Sequence, residues 1–336
     1  QQLNSACFES LEHFYFAIGN SIADALDLSV FPEDVWNSRR SPNANIERYL
    51  RRGHQMVEYH AGLPSTTPAA QSVFFYGQEE GVPAFRWYDR ASKKIVTSGN
   101  PDDLHRLESE LSNGEGLLAN GGASRGNILS GDATSVMATA SMAKDRSHHD
   151  ISNFYALFAN PYNISRILTL SIADFVREKR QYRTARNDNV EPILGKDKRG
   201  GVYPFVRIFN TTIMPEINVD TLVGDLIAGV PFAYATFVAY DEVAHHSGIE
   251  SPDAYDQLTR LDQRFARVVE AAKSAPRPYK FVVLSDHGQT SGATFKQRYG
   301  LSLSDLVNDL AREHIIIAPE EPREGLANAN AFLTDA

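Results

Sequence analysis

Length, composition and charge indicate an ordinary globular protein. The chain has 336 residues, of which 42% are hydrophobic and 22% are charged, so it can bury a sizeable core. Its formal net charge of -9 disfavours binding to a nucleic-acid polymer, because such binding requires a basic surface. No run of about 18 apolar residues occurs, so no transmembrane segment is predicted. The start shows no signal-peptide pattern, and the compartment stays open.

The first predicted elements are a strand at 14–18, followed by Asn20, and a short helix that ends at Gly77. Because Pro is favoured at the first helical position, Pro68 makes Thr67 the N-cap of this helix. The Thr67 hydroxyl would then lie beside free backbone N–H groups at the positive end of the helix dipole, where a phosphoryl group is stabilised. The alternative is a plain helix cap.

Soon after this helix, Arg86 lies in an aromatic run and is a candidate for binding a substrate phosphate. The alternative is that the run belongs to the core. The following region, 114–215, is rich in Gly, Ser, Asn and Arg with weak periodicity, and we interpret it as an inserted cap. Within it, the basic stretch at 175–186 is expected to contact an anionic substrate or membrane surface, or to be a solvated helix face.

The clearest pattern comes late in the chain. An apolar run at 232–240 predicts a buried strand, 255–272 a helix, 281–284 the next strand and 302–312 a further helix. Alternating strands and helices are typical of an α/β domain with a mostly parallel central sheet and helices on both faces. We expect one domain over 1–336, truncated at both ends.

Two short clusters of carboxylate and imidazole side chains follow these two strands. Asp241 and His245 come after the first strand, and Asp286 and His287 after the second. Ligands of open parallel sheets bind at the carboxyl ends of the strands, so the two pairs should face one crevice. Carboxylate plus imidazole suits zinc or manganese. The alternative is that these residues are ordinary helix caps and core histidines.

Another pair, Asp145 and His149, has the same spacing as Asp241 and His245. No predicted strand precedes it, so we expect no metal site there.

In this order, the Pro-Ser-x-Thr turn that ends at Thr67, Asp-x-x-x-His and Asp-His-Gly resemble the phosphodiesterase branch of the alkaline phosphatase superfamily. The stretches 62–88 and 240–248 carry the resemblance. It implies an alkaline phosphatase-like fold and two divalent metal ions, zinc or manganese. Asp241 and His245 would hold one ion, and Asp286 and His287 the other. Thr67 would attack phosphorus to give a phosphothreonine intermediate, which water then releases.

The chain departs from the family pattern at two positions. The resemblance implies an Asp after the first strand as a further metal ligand, where this chain has Asn20. The alternative is that Asn20 caps a helix, with Asp24 or a residue before Gln1 as the ligand. The family also supplies a later His. Here His314 is the only later histidine, and we expect it to cap a helix end. Either the chain stops before that ligand or the first metal site is incomplete.

The resemblance implies a metal-dependent hydrolase of phosphodiester or phosphoanhydride bonds, with a small-molecule phosphodiester, a nucleotide or a lipid head group as substrate. Thr66 is the alternative nucleophile. Two other functions stay open: a phosphomonoesterase or mutase on the same scaffold, and a non-catalytic relative that binds phosphorylated ligands.

Overall fold

The computed structural model describes residues 13–17, 44–51, 57, 59, 61–145, 159–190, 199–289 and 292–311. The strands are β1 (His13–Ala17), β2 (Arg86–Asp89), β3 (Lys94–Thr97), β4 (Ala123–Arg125), β5 (Ser135–Met137), β6 (Ala233–Thr236) and β7 (Lys280–Leu284). The α-helices are α1 (Ala44–Leu50), α2 (Thr67–Tyr76), α3 (Pro101–Leu111), α4 (Pro161–Asn187), α5 (Tyr203–Ile208), α6 (Met214–Ala228), α7 (Ala239–Ser247), α8 (Pro252–Ala272), α9 (Phe295–Tyr299) and α10 (Leu303–Ala311). A π-helical turn (Phe209–Ile213) joins α5 to α6.

The central sheet consists of five parallel strands in the order β5-β4-β6-β1-β7. Parallel strands are usually covered on both faces, and all four residues of β6 are buried accordingly. In the strand register, Ala17 of β1 pairs with Thr236 of β6 and with Leu284 of β7. The carboxyl ends of these three strands therefore meet at one edge of the sheet.

Helices pack on both sides of β6. Successive side chains of a strand point to opposite faces. Ala233 and Ala235 belong to an apolar cluster with α1, α6 and α8, whereas Tyr234 belongs to a second cluster with α2 and α3. The predicted α/β fold with a parallel central sheet is confirmed. Among the described residues, no helix combines the length and apolar character that a membrane span requires.

An ion-pair cluster around Glu216 joins α4, α6 and α8. The Glu216 carboxylate accepts hydrogen bonds from Arg166 of α4 at 2.9 Å, and from Arg264 and Arg267 of α8 at 3.0 and 2.7 Å. Burial by itself would raise the pKa of Glu216, but Arg264, Arg166 and Arg267 outweigh it and lower the pKa to about 2. Glu216 therefore stays ionised and holds the three helices together.

The late elements form close to where the sequence predicts them, with one correction. The predicted helix at 255–272 is α8, the strand at 281–284 is β7, and the helix at 302–312 is α10. The strand predicted at 232–240 is too long, because β6 ends at Thr236 and α7 begins at Ala239. A continuous apolar run does not distinguish a buried strand from a buried helix start.

The range 114–215, predicted to be an inserted cap, begins inside the central sheet. Both β4 and β5 lie in this range, and β4 pairs directly with β6. A cap can therefore begin only after Met137, and its presence stays a prediction. The residues of β4 and β5 were missed because such short strands, built largely of small and polar residues, carry no periodic signal.

Candidate active site

The hydroxyl of Thr67 lies at the start of α2. Thr66, not Thr67, is the N-cap, with an extended backbone at φ -143° and ψ 147°, and its side chain makes no capping hydrogen bond. The predicted N-cap is thus wrong by one residue. The reason is that Pro68 can occupy any position of the first turn, where its missing N–H has no intrahelical partner. Gly77 ends the helix in the left-handed conformation, as predicted.

A buried glutamine fixes α2 against the sheet. Gln71 is fully buried, and its Oε1 accepts hydrogen bonds from the backbone N–H groups of Ile128 and Leu129, both at 2.9 Å. Its Nε2 donates to Oγ1 of Thr236, the last residue of β6, at 3.1 Å. Thr236 in turn donates to Oδ1 of Asn127 at 2.6 Å. These contacts hold the Thr67 helix at the carboxyl end of β6. The only sequence signal for Gln71 is a polar residue within an apolar helix.

The Asp286-His287 pair lies beside Thr67. Both residues follow β7 and are buried, with 3% and 7% exposure. Nε2 of His287 lies 3.4 Å from Oγ1 of Thr67, and its Nδ1 lies 3.2 Å from the carbonyl oxygen of Gly288. Because only a protonated Nδ1 can donate to that carbonyl, we assign the lone pair to Nε2. This lone pair faces the Thr67 hydroxyl.

The Asp241-His245 pair lies on α7, one helical turn apart. His245 Nε2 lies 3.2 Å from Asp241 Oδ1, and the Asp241 side chain is nearly buried whereas that of His245 is about half exposed. Gln289, two residues after His287, donates from Nε2 to Asp241 Oδ1 and lies 3.4 Å from the Asp241 backbone oxygen. Gln289 therefore connects the Asp241-His245 pair to the segment that carries Asp286 and His287. Sequence analysis missed this residue because its partner is distant in the chain.

Water is largely excluded from the surroundings of Asp286. The Tyr59 hydroxyl donates to the backbone oxygen of Ser285, and burial together with the Asp286 charge raises the pKa of Tyr59 above its ordinary value. Burial and the same charge also raise the pKa of Tyr234. Both tyrosines are therefore neutral. A carboxylate in such surroundings is favoured by a nearby cation, since Coulomb attraction is strong where water is excluded.

Buried contacts support the other side of α7. Asn210 in the π-helical turn donates from Nδ2 to Glu242 Oε2 at 3.2 Å. The ring of Tyr203 stacks on that of His246 with centroids 3.9 Å apart. Glu242 and His246 each follow one of the Asp241-His245 pair by one position, so these contacts fix the helix that carries the pair. A π turn at this point agrees with the tendency of such turns to occur near functional sites.

The side chains that could hold a metal ion are of a suitable type and lie in two pairs. In the part of the chain that the structure describes, no three His, Cys, Asp or Glu side chains gather closely enough to share an ion. Asp241 with His245 and Asp286 with His287 nevertheless offer the carboxylate and imidazole donors that zinc and manganese take. The donor types thus fit a divalent ion. Asn20, the further ligand considered, lies outside the described residues.

The remaining candidates are apart from these contacts or outside the described residues. Arg86 begins β2, which among the described residues pairs with β3 in a two-stranded sheet apart from the central one. Asp145 follows a 3-10 turn, with its N–H donating to Met142 O at 3.0 Å, and no strand ends directly before it. His149, Asp24 and His314 lie outside the described residues.

These features define an α/β protein with a buried hydroxyl and two Asp/His pairs at the carboxyl edge of a parallel sheet. The sequence model of the family described as Type I phosphodiesterase / nucleotide pyrophosphatase matches residues 34–327. The chain belongs to this family, which confirms the resemblance drawn from its motifs. Membership supports a hydrolase of the phosphodiesterase or nucleotide pyrophosphatase type that acts on small-molecule substrates. No curated protein and no solved structure matches the chain.

Proposed function

We propose that this chain is a metal-dependent hydrolase that cleaves a phosphodiester or phosphoanhydride bond of a nucleotide or a lipid head group, with Thr67 as the nucleophile. The observation that carries the proposal is the 3.4 Å approach of His287 Nε2 to Thr67 Oγ1 at the start of a helix. A hydroxyl alone is a weak nucleophile and needs a group that removes or displaces its proton.

The residues have separate roles in this reaction. The first turn of α2 offers backbone N–H groups to the phosphoryl oxygens, since Thr66 does not cap them with its side chain. Thr67 Oγ1 loses its proton and forms a bond to phosphorus while the bond to the leaving oxygen breaks, which gives a phosphothreonine ester and a leaving group that takes up a proton. Water then attacks the phosphorus of this ester, releases the second phosphate product and restores the Thr67 hydroxyl. Gln71 keeps α2 in position throughout.

The two Asp/His pairs are the proposed metal ligands. Asp241 and His245 would hold one divalent ion, and Asp286 and His287 the other. Bound ions of this kind stabilise negative charge on phosphoryl oxygens and favour the ionised hydroxyl. The lone pair of His287 Nε2 that faces Thr67 is the one the imidazole would use as a ligand, so nucleophile and cation belong to one site.

Hydrolysis of bis(p-nitrophenyl) phosphate and of p-nitrophenyl phosphate, each with added zinc or manganese, tests the function. The proposal expects faster cleavage of the diester. Faster cleavage of the monoester would identify a phosphomonoesterase or mutase. Metal binding without cleavage of either substrate would indicate the non-catalytic alternative.

Substitution of Thr67 tests the nucleophile. Thr67→Ala should abolish hydrolysis, because it removes the attacking oxygen, and should change the free energy of unfolding by no more than about 1 kcal/mol, since Thr67 is not the capping residue. Thr66→Ala is the matched control and should retain turnover. Wild-type turnover in Thr67→Ala together with loss in Thr66→Ala would show that the nucleophile is the other threonine.

A further inference from the structure

Helix α4 has charged residues on its inner face and apolar residues on its outer face. It runs for 27 residues, or about 40 Å. Leu168, Ile172 and Val176 are 58%, 68% and 60% exposed, whereas the two acidic residues of the helix, Asp174 and Glu178, are buried. In a surface helix of a globular protein the arrangement is normally the reverse.

The inner face is held by ion pairs. Asp174 accepts a hydrogen bond from the Thr211 hydroxyl of the π-helical turn at 2.5 Å and forms an ion pair with Arg260 of α8 at 3.2 Å. Glu178 accepts two hydrogen bonds from Arg199 at 3.0 Å. Arg207 of α5 adds a further contact to Glu178. Because these contacts attach α4 to the protein, the exposed aliphatic side chains are not needed for its packing. Their four-residue spacing makes a continuous stripe, and an exposed stripe of this kind usually marks an interaction site.

The stripe leads into a cluster of positive charge. Along the second half of α4, Phe175 and Val176 lie beside Lys179, Arg180 and Arg183 on one open surface of the helix. Arg180 and Arg183 are exposed, and no ion pair to them occurs among the described residues. With both acids of α4 buried, the outer face carries positive charge although the chain as a whole has a net charge of -9.

We propose that the outer face of α4 docks on an anionic lipid surface. Aliphatic side chains beside several cations, with no exposed acid, match the acyl chains and phosphate groups of such a surface, where a helix lies in the interface without spanning the bilayer. A protein partner would need a matching acidic groove, whereas a membrane needs only the combination of apolar stripe and charge. The proposal does not depend on hydrolysis, because it involves none of the proposed catalytic residues.

Vesicle co-sedimentation of the full chain tests this docking. The chain should bind vesicles of phosphatidylcholine with added phosphatidylglycerol, bind pure phosphatidylcholine weakly, and lose binding as salt rises. Arg180→Glu/Arg183→Glu should raise the lipid concentration for half-maximal binding at least about tenfold. Leu168→Ser/Ile172→Ser should weaken binding by a similar factor, since it removes the apolar contact.

Matched controls come from exposed residues elsewhere. Ile227→Ser on α6 removes an aliphatic side chain that is 52% exposed, and Arg90→Glu reverses an exposed charge in the turn after β2. Both should leave vesicle binding unchanged. The proposal is overturned if the chain binds neither vesicle type, if the α4 variants bind like the unmodified chain, or if they change its oligomeric state on size exclusion without changing lipid binding.

Discussion

Two buried glutamines offer a matched test of how α2 is fixed against the sheet. Gln71 and Gln257 are both fully buried. Gln71 is hydrogen-bonded at both ends of its amide, whereas neither amide atom of Gln257 has a hydrogen-bond partner among the described residues. Methionine has a similar volume and no amide. Gln71→Met therefore removes an amide that is hydrogen-bonded, whereas Gln257→Met removes one that is not.

The two substitutions should therefore change stability in different directions. In Gln71→Met, the backbone N–H groups of Ile128 and Leu129 lose their acceptor at 2.9 Å and stay buried. Each such group costs about 1–3 kcal/mol, so the free energy of unfolding should fall by about 2–6 kcal/mol. Gln257→Met removes a buried amide whose loss of hydration is not offset by hydrogen bonds. The free energy of unfolding should therefore stay the same or rise by about 1 kcal/mol.

Urea denaturation followed by circular dichroism measures both changes. The midpoint should fall in Gln71→Met and stay or rise in Gln257→Met, with an unchanged slope in each. Because Thr67 lies on the same helix as Gln71, Gln71→Met should also reduce turnover at temperatures where the variant is folded. Equal destabilisation by the two substitutions would refute the hydrogen-bond argument, since both remove a buried amide.

Three further predictions concern charge and metal. The arginine cluster around Glu216 outweighs burial and lowers the pKa of Glu216 to about 2 from 4.5. The stabilising contribution of Glu216 should therefore be present above pH 4.5 and decline as pH falls towards 2. In Glu216→Gln, the free energy of unfolding measured by acid denaturation should depend less on pH in this range. His245→Ala and Asp286→Ala should each lower the metal content measured by atomic absorption, whereas Asp145→Ala should not. Asn20→Asp should tighten metal binding in a calorimetric titration if Asn20 is a ligand, because a carboxylate adds a negative charge; unchanged affinity would exclude it.

The sequence predicts the parts of the fold whose signal is local. The helix α8 shows a regular apolar period, and the strand β7 is apolar and bounded by turns, so both form where predicted. Asp286 and His287 were predicted as a pair because they directly follow that strand, and their role as metal ligands stays a prediction. Pro68 placed Thr67 at the start of α2, with a helical position that was wrong by one residue, and its role as the nucleophile stays a prediction.

Contacts between distant parts of the chain could not be predicted in this way. The short strand β4 contains Arg125, which is fully buried and forms an ion pair at 2.7 Å with Asp225, 100 positions away. A charged residue in a three-residue segment gives no strand signal, and its burial depends on partners such as Asp225 and Ser135 that lie elsewhere in the chain. Gln71 and Gln289 were missed for the same reason, because their hydrogen-bond partners lie on other elements.

The proposed phosphothreonine ester can be detected directly. The full chain is mixed with bis(p-nitrophenyl) phosphate and a divalent metal ion, quenched in acid within the first turnover, digested, and analysed by mass spectrometry of the peptide that contains both threonines. The account predicts a phosphoester on Thr67, absent from Thr67→Ala and retained in Thr66→Ala. Turnover without any adduct on Thr67, or an adduct on Thr66, would contradict it.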